Sequence, residues 1–82
     1  MMELQVGLFA RFRDEAGTES VTIQLPAGSE VRALRRCLAE FLPQLAGLLQ
    51  RSAIAVNGEF AGDDTRLAPG DELAVIPPVS GG

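Results

Sequence analysis

The pattern of apolar residues between positions 31 and 42 constrains the fold of this chain more than any other feature. Apolar residues recur there at spacings of three and four, which predicts one face of an amphipathic helix of about three turns. These residues are Val31, Leu34, Leu38 and either Phe41 or Leu42. Ser29 precedes them as the expected N-cap, and the opposite face carries Arg32, Arg35 and Arg36. A helix with one apolar face needs a second layer to cover it.

Segments with period-two alternation precede the helix and favour a sheet as that layer. A first strand is predicted within residues 3–12, with Phe9 on the face opposite the core. Its core-facing residues are Leu4, Val6 and Leu8. A polar turn predicted over residues 13–20 leads into a second strand over residues 21–25. Two consecutive strands with a short polar link predict a hairpin.

The second half of the chain alternates as well. Pro43 ends the helix or starts a second short one, and strands are predicted over residues 53–56 and 72–76. Asn57-Gly58 is a strong hairpin signal, because both central positions of such a turn need positive φ, and it leads into a short return strand with Phe60. In the last strand one face carries Leu73 and Val75, and the other carries Ala74 and Ile76. The order of elements predicts an α+β fold in which a mixed sheet packs on one main helix.

Composition limits the functions open to this chain of 82 residues, which is the size of one domain. One cysteine and no histidine exclude histidine-based acid–base catalysis and multi-cysteine metal sites, so no metal site is expected. Cys37 is expected to be a partly buried structural thiol. The net charge of −4 argues against nucleic acid as a partner. No apolar run approaches the roughly 20 residues of a membrane span, and the N-terminus lacks a signal peptide, so a cytoplasmic location is expected.

The C-terminus carries the most informative motif, which is Pro77-Pro78-Val79-Ser80-Gly81-Gly82. Two successive prolines lack amide donors and stop the last strand, which predicts a folded domain at residues 1–77 and an extended, flexible tail at residues 78–82. Such a tail can reach roughly 15–18 Å. Two terminal glycines let the backbone thread a narrow channel and present its carboxylate there. The sequence has no glycine-rich phosphate-binding motif, so the chain would be the substrate of an ATP-dependent activation and not its catalyst.

Three segments of the sequence resemble the MoaD family, the sulfur-carrier small subunits of molybdopterin synthase, which are related to the thiamine sulfur carrier ThiS. They are Leu8-Phe9-Ala10, Val56-Asn57-Gly58-Glu59 and the whole ending from Gly70 to Gly82, of which Pro-Pro-Val-Ser-Gly-Gly is the most specific part. The resemblance runs from end to end. It implies a ubiquitin-like β-grasp fold, which agrees with the order of elements above.

The resemblance also implies a reaction sequence at the C-terminus. An E1-like enzyme would adenylate Gly82 with ATP, and a sulfurtransferase or cysteine desulfurase system would convert the adenylate to a thiocarboxylate. The tail residues Pro77, Pro78, Val79, Ser80 and Gly81 would then enter the large subunit of the synthase. There the thiocarboxylate would donate sulfur to cyclic pyranopterin monophosphate and form the molybdopterin dithiolene. The chain would be a non-catalytic subunit without a bound cofactor, in a heterotetramer of two large and two small subunits.

Three apolar residues form a candidate docking patch. Phe9 and Ile76 lie on strand faces opposite the core and become neighbours if the first and last strands pair, and Phe60 can join them. An exposed apolar cluster beside the start of the tail is what a partner interface needs. The alternative is that Phe9, Phe60 and Ile76 fill a second small core under a loop.

Other functions remain open from the sequence. A protein modifier that forms isopeptides through Gly82 would share the tail and differ in the acceptor. A sulfur carrier for another pathway, such as thiamine, would also share it, although the Pro-Pro-Val segment is unexpected there. The simplest alternative is a β-grasp interaction module whose tail is inert.

Overall fold

The computed structural model describes residues 1–78, which form a five-stranded sheet and three α-helices. The strands are β1 (Met2–Leu8), β2 (Ser20–Leu25), β3 (Ala53–Val56), β4 (Glu59–Ala61) and β5 (Glu72–Ile76). The helices are α1 (Arg11–Ala16), α2 (Val31–Phe41) and α3 (Ala46–Gln50), with a 3₁₀ turn at Pro43–Leu45 before α3. Within these residues, no helix combines the length and the apolar character needed to cross a membrane.

The sheet has the strand order β2-β1-β5-β3-β4. Its two central strands, β1 and β5, run parallel, and the other neighbouring pairs are antiparallel. Parallel neighbours cannot be joined by a tight turn, so the chain between β1 and β5 contains every other element. The predicted mixed sheet with one main helix is confirmed, and so is the antiparallel pairing of β1 with β2.

The core lies between α2 and one face of the sheet. The inward residues of β1 and β5 follow the predicted alternation and are buried; they are Leu4, Val6, Leu8, Leu73 and Val75. From α2 the same cluster receives Val31, Leu34 and Leu38. At the end of this helix Leu42 is buried, whereas Phe41 is half exposed, which settles the alternative left open by the sequence.

The segment after β1 differs from the prediction. The strand ends at Leu8, and the short helix α1 takes the end of the predicted strand segment and the first part of the predicted polar turn. Phe12 explains the difference, because its side chain is 2% exposed and belongs to the core. The helix stops at Gly17, which adopts the left-handed conformation (φ 74°) and donates its N–H to the Arg13 carbonyl. Burial of one aromatic residue therefore outweighs the turn composition around it.

The start of α2 also differs from the prediction, because Ser29 does not cap the helix. Its Oγ donates to the Pro26 carbonyl at 2.7 Å, and the cap position belongs to Glu30. The first amides of the helix bond instead to a distant loop, as Val31 N–H donates to the Thr65 carbonyl and Arg32 N–H to the Asp63 carbonyl, each at 3.0 Å. Tertiary contacts thus satisfy the first two free donors of this helix end.

Arg35 joins three segments on the helical side. The sequence places it on the solvent face of α2, but its side chain is only 17% exposed. Its Nη1 donates to the carbonyls of Leu49 at 2.7 Å and Ser52 at 2.8 Å, and its Nε donates to Asp63 at 3.0 Å. One guanidinium therefore ties the end of α3 and the loop at Asp63 to α2.

Candidate functional site

The outer face of the sheet, which points away from α2, carries a row of small residues. Cα pairing places Gly7 of β1 beside Ala74 of β5, Ala74 beside Ala55 of β3, and Ala55 beside Phe60 of β4. Three of these four positions have no side chain or only a methyl group. The row therefore forms a low strip of the sheet surface, called here the small-residue floor, and the aromatic residue Phe60 lies at its β4 end.

Phe9 stands at the other end of this floor. A Cβ placed on Gly7 would lie 3.6 Å from Cε2 of Phe9, so the ring lies against the glycine. Together with Ile76, the two phenylalanines line one concavity of about 450 Å³. Phe9 is 49% exposed and Phe60 is 75% exposed, which does not fit the alternative of a second closed core. The structure thus brings together all three residues of the predicted patch, called here the outer patch (Phe9, Phe60 and Ile76).

The tail begins at one edge of the outer patch. Because β1 and β5 are parallel, their carboxyl ends meet at the same edge of the sheet, with Leu8 beside Val75. The chain leaves β5 after Ile76, where Pro77 is half-buried and Pro78 is exposed. Of the predicted tail, Val79, Ser80, Gly81 and Gly82 lie outside the described residues. An apolar surface and the start of the tail are therefore adjacent.

Polar residues bound the outer patch on one side. One row along the sheet from the small-residue floor, Thr22, Gln5 and Glu72 stand beside one another. Gln5 Nε2 donates to Thr22 Oγ1 at 2.9 Å. The apolar part of the outer face is thus confined to the end where the tail begins, which is the arrangement of an interface core with a polar rim.

A hydrogen-bond network holds the hairpin that carries Phe60. Asn57 has positive φ (52°), as the Asn-Gly motif predicts. Its Nδ2 donates to Asp71 Oδ1, and its Oδ1 accepts from the Glu72 N–H, each at 2.9 Å. Asp71 Oδ2 in turn accepts from the Ala68 N–H at 2.7 Å. The network joins the hairpin to the start of β5. The sequence motifs predict each of the two turns separately and do not predict this contact between them.

Other chemically interesting residues lie away from the outer patch. Cys37 is a free, half-buried thiol on α2, as the sequence predicts. Asp63 accepts from Arg35 and therefore has a structural contact. Arg11 and Arg13 are exposed on α1, directly after Phe9 and Ala10 in the chain. Neither the thiol nor these charges line the concavity of the outer patch.

The sequence of the chain is similar to sequences of known proteins over nearly its whole length. The model of the ThiS family matches residues 6–82. The molybdopterin synthase sulfur carrier subunit of Arabidopsis thaliana is 37% identical over 99% of this chain and 84% of its own length. The protein of the same name from Dictyostelium discoideum is 36% identical over 98% of this chain and 96% of its own.

Solved structures agree with these sequence similarities. A putative molybdopterin converting factor subunit 1 from Pyrococcus furiosus has a TM-score of 0.85 at 32% identity, covering 96% of this chain and all of that one. Small archaeal modifier protein 1 from Haloferax volcanii has a TM-score of 0.85 at 28% identity, with the same coverage.

Two further structures extend the comparison. A complex of subunits 1 and 2 of the molybdopterin-converting factor from Helicobacter pylori contains a chain with a TM-score of 0.69 at 27% identity, covering 99% of this chain and all of that one. A ubiquitin from Caldiarchaeum subterraneum, at 16% identity and a TM-score of 0.68 over 99% of this chain and 98% of that one, shares the fold alone. The matched family and the shared ubiquitin-like β-grasp fold confirm the resemblance seen in the sequence: this chain belongs to the ThiS family.

Proposed function

We propose that this chain is the sulfur carrier subunit of a molybdopterin synthase. The observation that carries the proposal is its similarity, over nearly the whole chain, to proteins named as that subunit. The geometry supports it, because a carrier has to dock on a partner and also deliver its terminus into that partner. The outer patch and the start of the tail lie at one edge of the sheet, so one protein can engage both.

The proposed chemistry takes place at the carboxyl group of Gly82. One of its oxygens attacks the α-phosphorus of ATP, which releases pyrophosphate and leaves an acyl-adenylate. A sulfur nucleophile from a sulfurtransferase or cysteine desulfurase system then displaces AMP and leaves the thiocarboxylate. In the synthase this sulfur is transferred to cyclic pyranopterin monophosphate, and two carriers are used for the two dithiolene sulfurs. The chain itself supplies no phosphate-binding motif and no histidine, so the E1-like enzyme and the large subunit provide the acid–base groups.

The outer patch is the proposed contact with the large subunit. In the H. pylori complex, subunits named 1 and 2 are found together, and this chain resembles subunit 1. Docking of Phe60 and Phe9 would remove two exposed aromatic rings from water, which is a strong driving force for association. Pro77 and Pro78 fix φ at the start of the tail, and entry of the tail into the partner is part of the proposal. A heterotetramer with two copies of each subunit is the assembly that we expect.

The proposal is tested first on the tail. The purified chain is incubated with its E1-like enzyme, ATP and a sulfur donor, and its intact mass is measured and then localised by fragmentation. We expect one oxygen-to-sulfur exchange confined to Gly82. A variant with an alanine appended after Gly82 is the matched control, and it should stay folded by circular dichroism and remain unmodified. A wild-type chain that stays unmodified, while the same enzyme modifies another carrier, would contradict the proposal.

A protein modifier is the second candidate, because small archaeal modifier protein 1 has nearly the same fold over 96% of this chain. The two functions use the same activated terminus and differ in its acceptor. Expression of a tagged chain in its host distinguishes them, when tryptic peptides are searched by mass spectrometry for lysines that carry residues 67–82, the peptide that trypsin leaves after Arg66. Conjugates that disappear when Gly82 is deleted would establish the modifier function. The expected cytoplasmic location stays a prediction, as does the absence of a bound cofactor.

A further inference from the structure

The backbone at Ala10 is strained at the edge of the outer patch. Its φ of 52° and ψ of −124° match the first central position of a type II′ turn, which glycine normally occupies. The Phe12 N–H donates to the Phe9 carbonyl at 3.1 Å and closes the turn from residue 9 to residue 12. Within residues 1–78, Asn57 is the other non-glycine residue with positive φ. Asparagine tolerates its left-handed conformation, whereas the side chain of Ala10 makes this conformation costly.

The turn has a clear geometric effect. Leu8 is buried in the core, and Phe12, four residues later, is buried in the core again. Phe9 lies between them with its ring against Gly7 on the opposite side of the sheet. A tight reversal is needed to send these two aromatic residues to opposite faces within so few residues. Burial of Phe12 holds one end of the turn, so the strain persists in the folded chain.

Strain of this kind is concentrated at functional positions, where it holds a side chain in the geometry of a complex. We propose that Ala10 is a positioning residue of the outer patch: its strained turn keeps the Phe9 ring over Gly7, ready for the partner. The inference rests on the proposed docking of the outer patch on the large subunit. Ala10 itself does not line the outer patch. Its turn is assigned a role in the affinity for the large subunit, at a cost in the folding stability of the chain.

The test is Ala10→Gly, which removes the steric strain and also lets the turn adopt other conformations. We expect a higher midpoint of urea unfolding, because glycine adopts this φ and ψ without penalty. We also expect weaker binding to the large subunit of molybdopterin synthase, by about two- to tenfold, which corresponds to immobilising one additional side chain on binding. A purely structural strain would raise stability without changing affinity.

A second readout does not depend on the partner. In the isolated wild-type chain, the nuclear Overhauser effect between the Phe9 ring protons and the Gly7 Hα should be strong, and in Ala10→Gly it should weaken. A double-mutant cycle then assigns the affinity change to Phe9. The effect of Ala10→Gly should vanish in a Phe9→Ala background and persist in a Phe60→Ala background.

The outcomes separate this inference from the proposed function. If the wild-type chain does not bind the large subunit, the proposed function fails, and the nuclear Overhauser effect alone then decides whether Ala10 positions Phe9. If the wild type binds and Ala10→Gly leaves both the affinity and the Phe9–Gly7 contact unchanged, the inference about Ala10 is overturned. A lower stability of Ala10→Gly would overturn it too, because the turn would then not be strained.

Discussion

Replacement of Phe60 by alanine should reduce partner binding and leave the fold nearly unchanged. Burying a phenylalanine side chain is worth about 1.5–3 kcal/mol, and Phe60 is 75% exposed in the free chain. About a quarter of that energy is therefore used in folding, and about 1–2 kcal/mol is available to a partner that covers the ring. This corresponds to a Kd about five- to thirtyfold higher for Phe60→Ala, with a loss of folding stability below about 1 kcal/mol.

Phe41 provides a matched control of the same residue type. It is 50% exposed at the end of α2 and does not line the outer patch. Phe41→Ala removes more buried surface than Phe60→Ala, so it should cost about 0.8–1.5 kcal/mol of stability and leave the affinity unchanged. Phe60→Ala is thus expected to lose mainly affinity for the partner, and Phe41→Ala is expected to lose only folding stability.

Both quantities can be measured directly. Isothermal titration calorimetry with the large subunit of molybdopterin synthase gives the Kd of each variant. Unfolding in urea is followed by far-ultraviolet circular dichroism, because the chain has no tryptophan and no tyrosine to report by fluorescence. Equal Kd values for Phe60→Ala and Phe41→Ala would refute the assignment of the outer patch as the docking surface.

Three further predictions concern other parts of the structure. Arg35→Met should lower the free energy of unfolding by about 2–4 kcal/mol, because two carbonyls lose charged donors. The exposed control Arg36→Met should change it by less than about 0.5 kcal/mol, and equal losses in urea unfolding would contradict the role of Arg35. Asn57→Ala should be less stable than Asn57→Gly by about 1 kcal/mol, because both lose the side-chain bonds but only alanine is strained at this φ; equal thermal midpoints would contradict this. Gly7→Ala should fold at least as stably as the wild type, since a Cβ at Gly7 meets only ordinary contacts at 3.6 Å or more and glycine weakens a strand by about 0.5–1 kcal/mol. The two further methyl groups of Gly7→Val should displace Phe9 and weaken binding to the large subunit as much as Phe9→Ala does, and an unchanged Kd would argue against a fixed ring over Gly7.

Much of the fold could be predicted from local pattern. Alternation identified the buried faces of β1 and β5, and the three- and four-residue spacing identified α2. The Asn-Gly pair identified the hairpin between β3 and β4. Each of these signals comes from residues adjacent in sequence, because side-chain direction follows the period of the local element.

The site could be predicted only in part. Phe9 and Ile76 are predicted to lie on strand faces opposite the core, and Phe60 is predicted to be able to join them. Their meeting depends on the pairing of β1 with β5, of β5 with β3 and of β3 with β4. Two features that shape the site cannot be predicted from the sequence patterns. They are the hydrogen-bond network around Asn57 and the strained turn at Ala10, because each depends on contacts or backbone geometry that only the folded chain has.

The sequence by itself determined which residues face the core, where the main helix and the hairpin lie, and that the last strand stops at two prolines. Tertiary structure alone decided that α1 replaces a turn, that carbonyls of the loop at residues 63–65 bond the start of α2, and that Arg35 ties α3 to α2. The physical reason is that periodicity is a local property, whereas a buried Phe12 or a shared carbonyl depends on segments far apart in the chain. Such contacts form only when the whole chain closes around one core.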